Sequence, residues 1–205
     1  MAPQIIALLG SPRPKGNTAK LMEEAVRGIR DAGCRVEVVS VPRLKLSSCK
    51  EIFYCQNHAD CGMKDDVTPF YEKFREIDGL IIATPVMTMG IPGALKSFMD
   101  RFQVFFMAKY IRKEPLVSPA KKKHRKTLLL SIGGLNIEDD FDGVIASTKA
   151  FCDIIDCRYW DAVLQNNMDE IIDITTRPEV MKAAYDKGFR MGELITLDMA
   201  KNLPE

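Results

Sequence analysis

Gln4-Ile5-Ile6-Ala7-Leu8-Leu9-Gly10-Ser11-Pro12-Arg13-Pro14-Lys15-Gly16-Asn17-Thr18 is the stretch that decides the fold. It opens on a short apolar run whose length suits a buried strand better than a helix. A loop of small and polar residues follows. A helical pattern then starts at once, with apolar residues at Leu21, Met22, Ala25, Val26 and Ile29. Strand, small-residue loop and helix together make a phosphate cradle, because the first N–H groups of a helix lack internal partners and the dipole makes that end positive. Ser11, Asn17 and Thr18 add side-chain donors, and Arg13 adds a charged fork suited to phosphate. The stretch carries neither the Gly-Lys-Ser/Thr of a P-loop nor the G-x-G-x-x-G of a dinucleotide fingerprint. Spacing alone leaves two readings open: a phosphate cradle, or a polar βα turn closed by an Asn or Thr cap.

The same alternation continues along the chain. Gly33 is placed to end the first helix. Arg35 to Val41 is valine-rich and reads as a second strand, closed by Pro42. Residues 43–66 form a long irregular segment that holds three of the six cysteines. Val67 to Ile77 reads as a helix with Pro69 in its first turn. Leu80 to Thr84 reads as a buried strand, and Pro85 to Gly90 as a loop. Pro92 then opens a helix with a broad apolar face at Leu95, Phe98, Met99, Phe102, Phe105 and Phe106. Ala108 to Lys126 is a second long connection. Thr127 to Ile132 reads as the fourth strand, ended by Gly133-Gly134. Phe141 to Ile154 reads as helical, and Arg158 to Leu164 as the fifth strand. Thr176-Arg177-Pro178-Glu179 has capping-box spacing ahead of a terminal helix, 178–201. Apolar strands that do not alternate imply a parallel sheet covered on both faces. No repeat or composition break divides residues 1–205, so a single domain is expected. In such sheets the ligand sits at the carboxyl ends of the strands. The candidate loops are therefore Ser11–Thr18, Pro85–Gly90 and Ser131–Asn136.

Bulk properties narrow the function. Apolar residues make up 46% of the 205, an ordinary globular balance, and the formal net charge is +1. That charge gives no reason to expect a nucleic-acid or membrane-surface partner. The basic run Lys121-Lys122-Lys123-His124-Arg125-Lys126 has no aromatic platform beside it and reads as a solvated loop leading into a strand. The longest apolar region, Gly79 to Leu95, is broken by Pro85, Gly90, Pro92 and Gly93, which argues against a membrane span. No signal peptide is visible, so a cytoplasmic setting is expected, with cysteines as thiols or metal ligands. His58 and His124 are the only histidines. Neither has a partner at a revealing spacing, and no side chain is singled out as a catalytic acid or base.

Four pieces in this order and spacing resemble the NADPH-dependent FMN reductase family, and more closely its iron–sulfur flavoprotein branch. They are Gly10-Ser11-Pro12-Arg13-x-x-Gly16-Asn17-Thr18, Cys61-x-x-x-Asp65-Asp66, Ala83-Thr84-Pro85-Val86 and Leu95-Lys96-x-Phe98-x-Asp100-Arg101. The resemblance runs from Ile5 to about Leu164. It implies a flavodoxin-like three-layer α/β sandwich with a five-stranded parallel sheet of order 2-1-3-4-5. It also implies an FMN phosphate held by Ser11, Arg13, Asn17 and Thr18 with the backbone around Gly16. The flavin ring would lie against Pro85, Val86, Met87, Thr88, Met89 and Gly90, with Gly133 and Gly134 letting the backbone approach from the other side. Met87 stands where the family often carries Tyr. Lys96, Asp100 and Arg101 read as structural or interface ion pairs. A homodimer or homotetramer is implied, with the helix Ile91–Met107 and the arm Ala108–Lys126 as contact segments. The alternative is that the helix simply covers the sheet.

Cys49, Cys55 and Cys61 are the metal candidates. The iron–sulfur branch usually carries four cysteines, and here Ile52 replaces the second. A [4Fe–4S] cluster normally uses four thiolates. Three readings stay open: a cluster with one iron open to another ligand, thiols without metal, or a different metal. Three functions follow. The first is an enzyme that takes electrons from NAD(P)H through FMN and passes them to a quinone, flavin, metal ion or other small acceptor. The second is an electron carrier reduced by ferredoxin. The third is a nucleotide-binding protein that holds no flavin.

Overall fold

The computed structural model describes residues 2–201. Strands β1 (Gln4–Leu9), β2 (Arg35–Ser40), β3 (Gly79–Pro85), β4 (Lys126–Ile132) and β5 (Arg158–Gln165) form one parallel sheet in the order β2-β1-β3-β4-β5. Helices α1 (Asn17–Asp31), α2 (Thr68–Glu76), α3 (Gly93–Asp100), α4 (Gln103–Phe106), α5 (Pro119–His124), α6 (Asp142–Ile154), α7 (Met168–Ile171) and α8 (Pro178–Lys201) connect and cover it. The expected strand order is therefore the observed one.

Successive strand side chains point to opposite faces. Ile5, Ala7 and Leu9 join the core under α1 and α8, and Ile6 and Leu8 join the core under α2, α3 and α6. Leu128 and Leu130 against Leu129 divide in the same way. Burial on both faces is why these strands read as unbroken apolar runs. Gly33 adopts φ +84°, as the end of α1 requires.

Three local readings change. The Phe-rich helix is not continuous. It breaks after α3, α4 follows, and a π-helical turn runs over Met107–Arg112. The break falls at Arg101, whose fully buried side chain turns inward to Asp65 and to the carbonyls of Ser47 and Met63. Leu95, Phe98, Phe102 and Phe105 are buried in the chain's own core, and the three phenylalanines sit edge-on to Phe70, Tyr71 and Phe151. The apolar face of the helix thus covers the sheet.

The basic run is also not a solvated loop. Its first part is α5, and His124, Arg125 and Lys126 are buried. Asp78 holds the end of α5: its carboxylate accepts from His124 Nε2 at 3.0 Å, from Lys121 Nζ at 3.2 Å and from the backbone N–H of Gln4 at 2.9 Å. Lys126 reaches Asp198 on α8 at 2.6 Å. Finally, the Thr176–Glu179 capping box does not form. Thr176 Oγ1 donates to the carbonyl of Asp173 instead, and Pro178 opens α8 as expected.

Candidate functional site

The carboxyl ends of β1, β3, β4 and β5 open onto one cavity of about 740 Å³. Ser11, Arg13, Gly16, Asn17 and Thr18 line it from the β1–α1 loop, Pro85, Val86, Met87, Thr88 and Met89 from the β3 loop, and Gly133 and Gly134 from the β4 loop. The three loops that the sequence nominated therefore meet. Gly90 is not on the wall. It closes a tight turn, exchanging backbone hydrogen bonds with Met87 at 2.8 and 3.0 Å. Thr88 and Met89 take left-handed φ values of 48° and 58° at the tip.

At the start of α1 the Asn or Thr cap of the second reading does not form. Its N-cap is Gly16, no side chain caps it, and its first turn holds no acidic residue. The first N–H groups of α1 therefore have no side-chain partner from the cap. Ser11 and Thr18 are buried, Ser11 Oγ accepts from the N–H of Arg13 at 3.2 Å, and the N–H of Gly16 donates to the carbonyl of Arg13 at 3.1 Å. Asn17 has a second task. Its Nδ2 donates to the carbonyl of Ile172 at 2.7 Å, and its Oδ1 accepts from the N–H of Ile174 at 3.2 Å. It thereby ties the cradle to the segment after β5. Ile172 sits there at φ +65°, a strained value for a β-branched residue.

The segment after β5 was not nominated, yet Met168, Asp169 and Ile172 line the cavity, and so does Asp140. The missed signal lies in the strand order: β5 neighbours β4, so its carboxyl end faces the same crevice. The two glycines have a role beyond close approach. A Cβ on Gly133 would fall 1.5 Å from Asp140 Oδ2, and one on Gly134 would fall 2.7 Å from Asp169 Oδ2. The space freed by the missing side chains is filled by carboxyl groups. Asp140 is 2% exposed, and its Oδ2 is buried without a hydrogen-bond partner. Burial, and then the charge of Asp169, push its carboxyl above the ordinary carboxylate range.

Cys49, Cys55 and Cys61 line a separate cavity of about 20 Å³, with Arg101 also on its wall. Such a space holds about one water. Arg101 Nη2 lies 3.7 Å from Cys61 Sγ, and burial pushes the Cys55 thiol up. Ile52 is 57% exposed. Among the described residues, no three His, Cys, Asp or Glu side chains converge as a metal-holding group. The three thiols share one wall but do not converge on a single metal position. Cys152 and Cys157 are buried core residues, with the Cys152 thiol pushed up to about 12 by burial.

Known proteins resemble this chain in sequence and in fold. An iron–sulfur flavoprotein of Methanocaldococcus jannaschii is 37% identical over 98 residues, covering 48% of this chain and 51% of that one. A second from the same organism is 31% identical over 132 residues, covering 64% and 62%. The chain thus spans about half to three-fifths of the length of these relatives. Among solved structures, an NAD(P)H:quinone oxidoreductase from Methanothermobacter marburgensis superposes with TM-score 0.68 at 18% identity, over 93% of this chain and 98% of that one. That likeness is one of fold. The family model described as NADPH-dependent FMN reductase matches residues 3–134, which hold the cradle and the loops after β3 and β4, and the chain belongs to that family.

Proposed function

We propose that this chain is an FMN-dependent oxidoreductase that takes electrons from NAD(P)H and passes them to a small acceptor such as a quinone, flavin or metal ion. One observation carries the reading. A single cavity joins an uncapped helix N-terminus, suited to a monophosphate, to a slim wall of Pro85–Met89 and Gly133-Gly134, suited to a planar ring. Its size falls in the usual range for cofactor sites. In this reading Ser11, Arg13, Thr18 and the backbone N–H groups of Asn17 and Thr18, around Gly16, hold the phosphate. The β3 and β4 loops orient the ring and exclude water from one side. The flavin, when bound, supplies the hydride chemistry, and the protein supplies position and electrostatics. Met87, Met89, Leu135 and Ile172 are exposed apolar side chains on the wall, fitted to an apolar acceptor or to a second copy of the chain. A homodimer or homotetramer and a cytoplasmic setting go with this reading. No described helix is long and apolar enough to cross a membrane.

The test is anaerobic titration of FMN-loaded protein with NADPH and NADH. Bleaching of the flavin's visible band by either nucleotide supports the reading, and a flavin that stays oxidised with both contradicts it. A carrier reduced by ferredoxin through a cluster at Cys49, Cys55 and Cys61 is the second reading, favoured by the names of the relatives and the shared wall of the three thiols. The small cavity and the buried guanidinium beside Cys61 rank it behind the first. Anaerobically reconstituted protein with no iron or sulfide removes it.

A further inference from the structure

The flavin reading leaves one group on the cavity wall without a task. Asp140 lies in the turn before α6, nearly fully buried, and its Oδ2 has no partner. The fold makes room for it: Gly133 is bare where the carboxyl sits, and any side chain there would collide with Oδ2. A buried polar atom without a partner is costly, and a buried unpaired charge more so. A group held in that state beside a ligand cavity is a candidate for a role toward the ligand.

The charges around Asp140 are mostly of its own sign. Its own turn and the start of α6 bring Glu138, Asp139 and Asp142, and α7 brings Asp169 against the neighbouring glycine. The end of β4 and the β3 loop contribute no titratable residue to the wall. The β1–α1 loop contributes Arg13, the one cation lining the cavity among the described residues. Neither Asp140 nor Asp169 is ion-paired among the described residues. A phosphorylated ligand entering this cavity adds negative charge and replaces water along the wall that Asp140 lines. Both effects favour the neutral acid.

Resting on the FMN reading, we propose that Asp140 is the proton-binding group of the cofactor site. As FMN fills the cavity, the carboxylate takes one proton from solvent to become a carboxylic acid, which then serves as a hydrogen-bond donor toward the cofactor. No electrons move in this step, and the only bond formed is O–H. Asp169 acts through Asp140 as a positioning charge that makes the proton harder to lose.

The test is calorimetric titration of apoprotein with FMN at about pH 7.5, in buffers of different ionisation enthalpy, which counts the protons exchanged. Wild type is expected to take up more protons per FMN than Asp140→Asn, by up to one. Its Kd is expected to rise with pH more steeply than that of Asp140→Asn, by up to about tenfold per pH unit. FMN's own phosphate titrates in both proteins and cancels in the comparison. Equal proton uptake in wild type and Asp140→Asn, both binding FMN, overturns this inference and leaves the functional reading intact. Wild type that binds no FMN overturns both. Should Asp140→Asn fail to fold, Asp169→Asn reads the same coupling: reduced proton uptake supports the inference, and unchanged uptake overturns it.

Discussion

Gly133 and Asp140 show how much of a site rests on single atoms. Placing Cβ on Gly133 puts it 1.5 Å from Asp140 Oδ2, so the carboxyl must leave its seat. Gly133→Ala is expected to weaken FMN binding at least about tenfold, or about 1.4 kcal/mol. Removing the carboxyl as well, in Gly133→Ala/Asp140→Gly, is expected to restore part of the loss. Fluorescence titration of the single and double variants measures that coupling. The glycines were legible as cavity residues because they end a strand at the expected edge. Asp140 was not, because an acidic residue just ahead of a helix reads as an ordinary terminal charge. Arg101 was legible as a structural or interface ion pair, but its burial and its partner were not. In the structure it is a fully buried cation paired with Asp65. Arg101→Met is expected to cost about 3–5 kcal/mol in urea unfolding, because it leaves Asp65 without its partner.

Elements meet at α1 and α8 with almost no space between their backbones. A Cβ on Gly188 would fall 2.2 Å from the carbonyl oxygen of Ala25, and one on Gly28 would fall 2.2 Å from that of Tyr185. In an exposed helix, Gly to Ala stabilises by about 1 kcal/mol. Here Gly188→Ala is expected to destabilise by about 1–3 kcal/mol, read as a lower urea midpoint. The link between β3 and α5 carries a pH dependence. Burial pushes the Asp78 carboxyl up, but hydrogen bonds from His124 and the Gln4 N–H, with Lys121, outweigh that and hold it below the ordinary range. A lowered folded pKa means stabilisation that is present at neutral pH and lost as pH falls through that value. Asp78→Asn is therefore expected to be less stable at neutral pH by about 1–3 kcal/mol. The gap should close as pH drops below the usual carboxylate value of 3.8. The inner strands β1, β3 and β4 were legible because two-sided burial leaves an unbroken apolar signature. The α5 turn was hidden because a lysine run carries no amphipathic pattern. The break after α3 was hidden because its cause, the inward turn of Arg101, depends on residues far away in sequence.

At the scale of the whole molecule, the parallel sheet does the positioning. Four strands deliver their carboxyl ends to one rim, and α1 starts there without a cap. The cysteine segment lies apart from that cavity, lining a space of its own. The central claim is that the uncapped start of α1 holds the phosphate of FMN. Parallel fluorescence titration of apoprotein with FMN and with riboflavin, which lacks the phosphate, tests it most directly. The account predicts one FMN per chain and riboflavin bound at least about a hundredfold more weakly, the worth of one or two charge-assisted hydrogen bonds. Equal affinity for the two flavins, or no saturable binding of FMN, would contradict it.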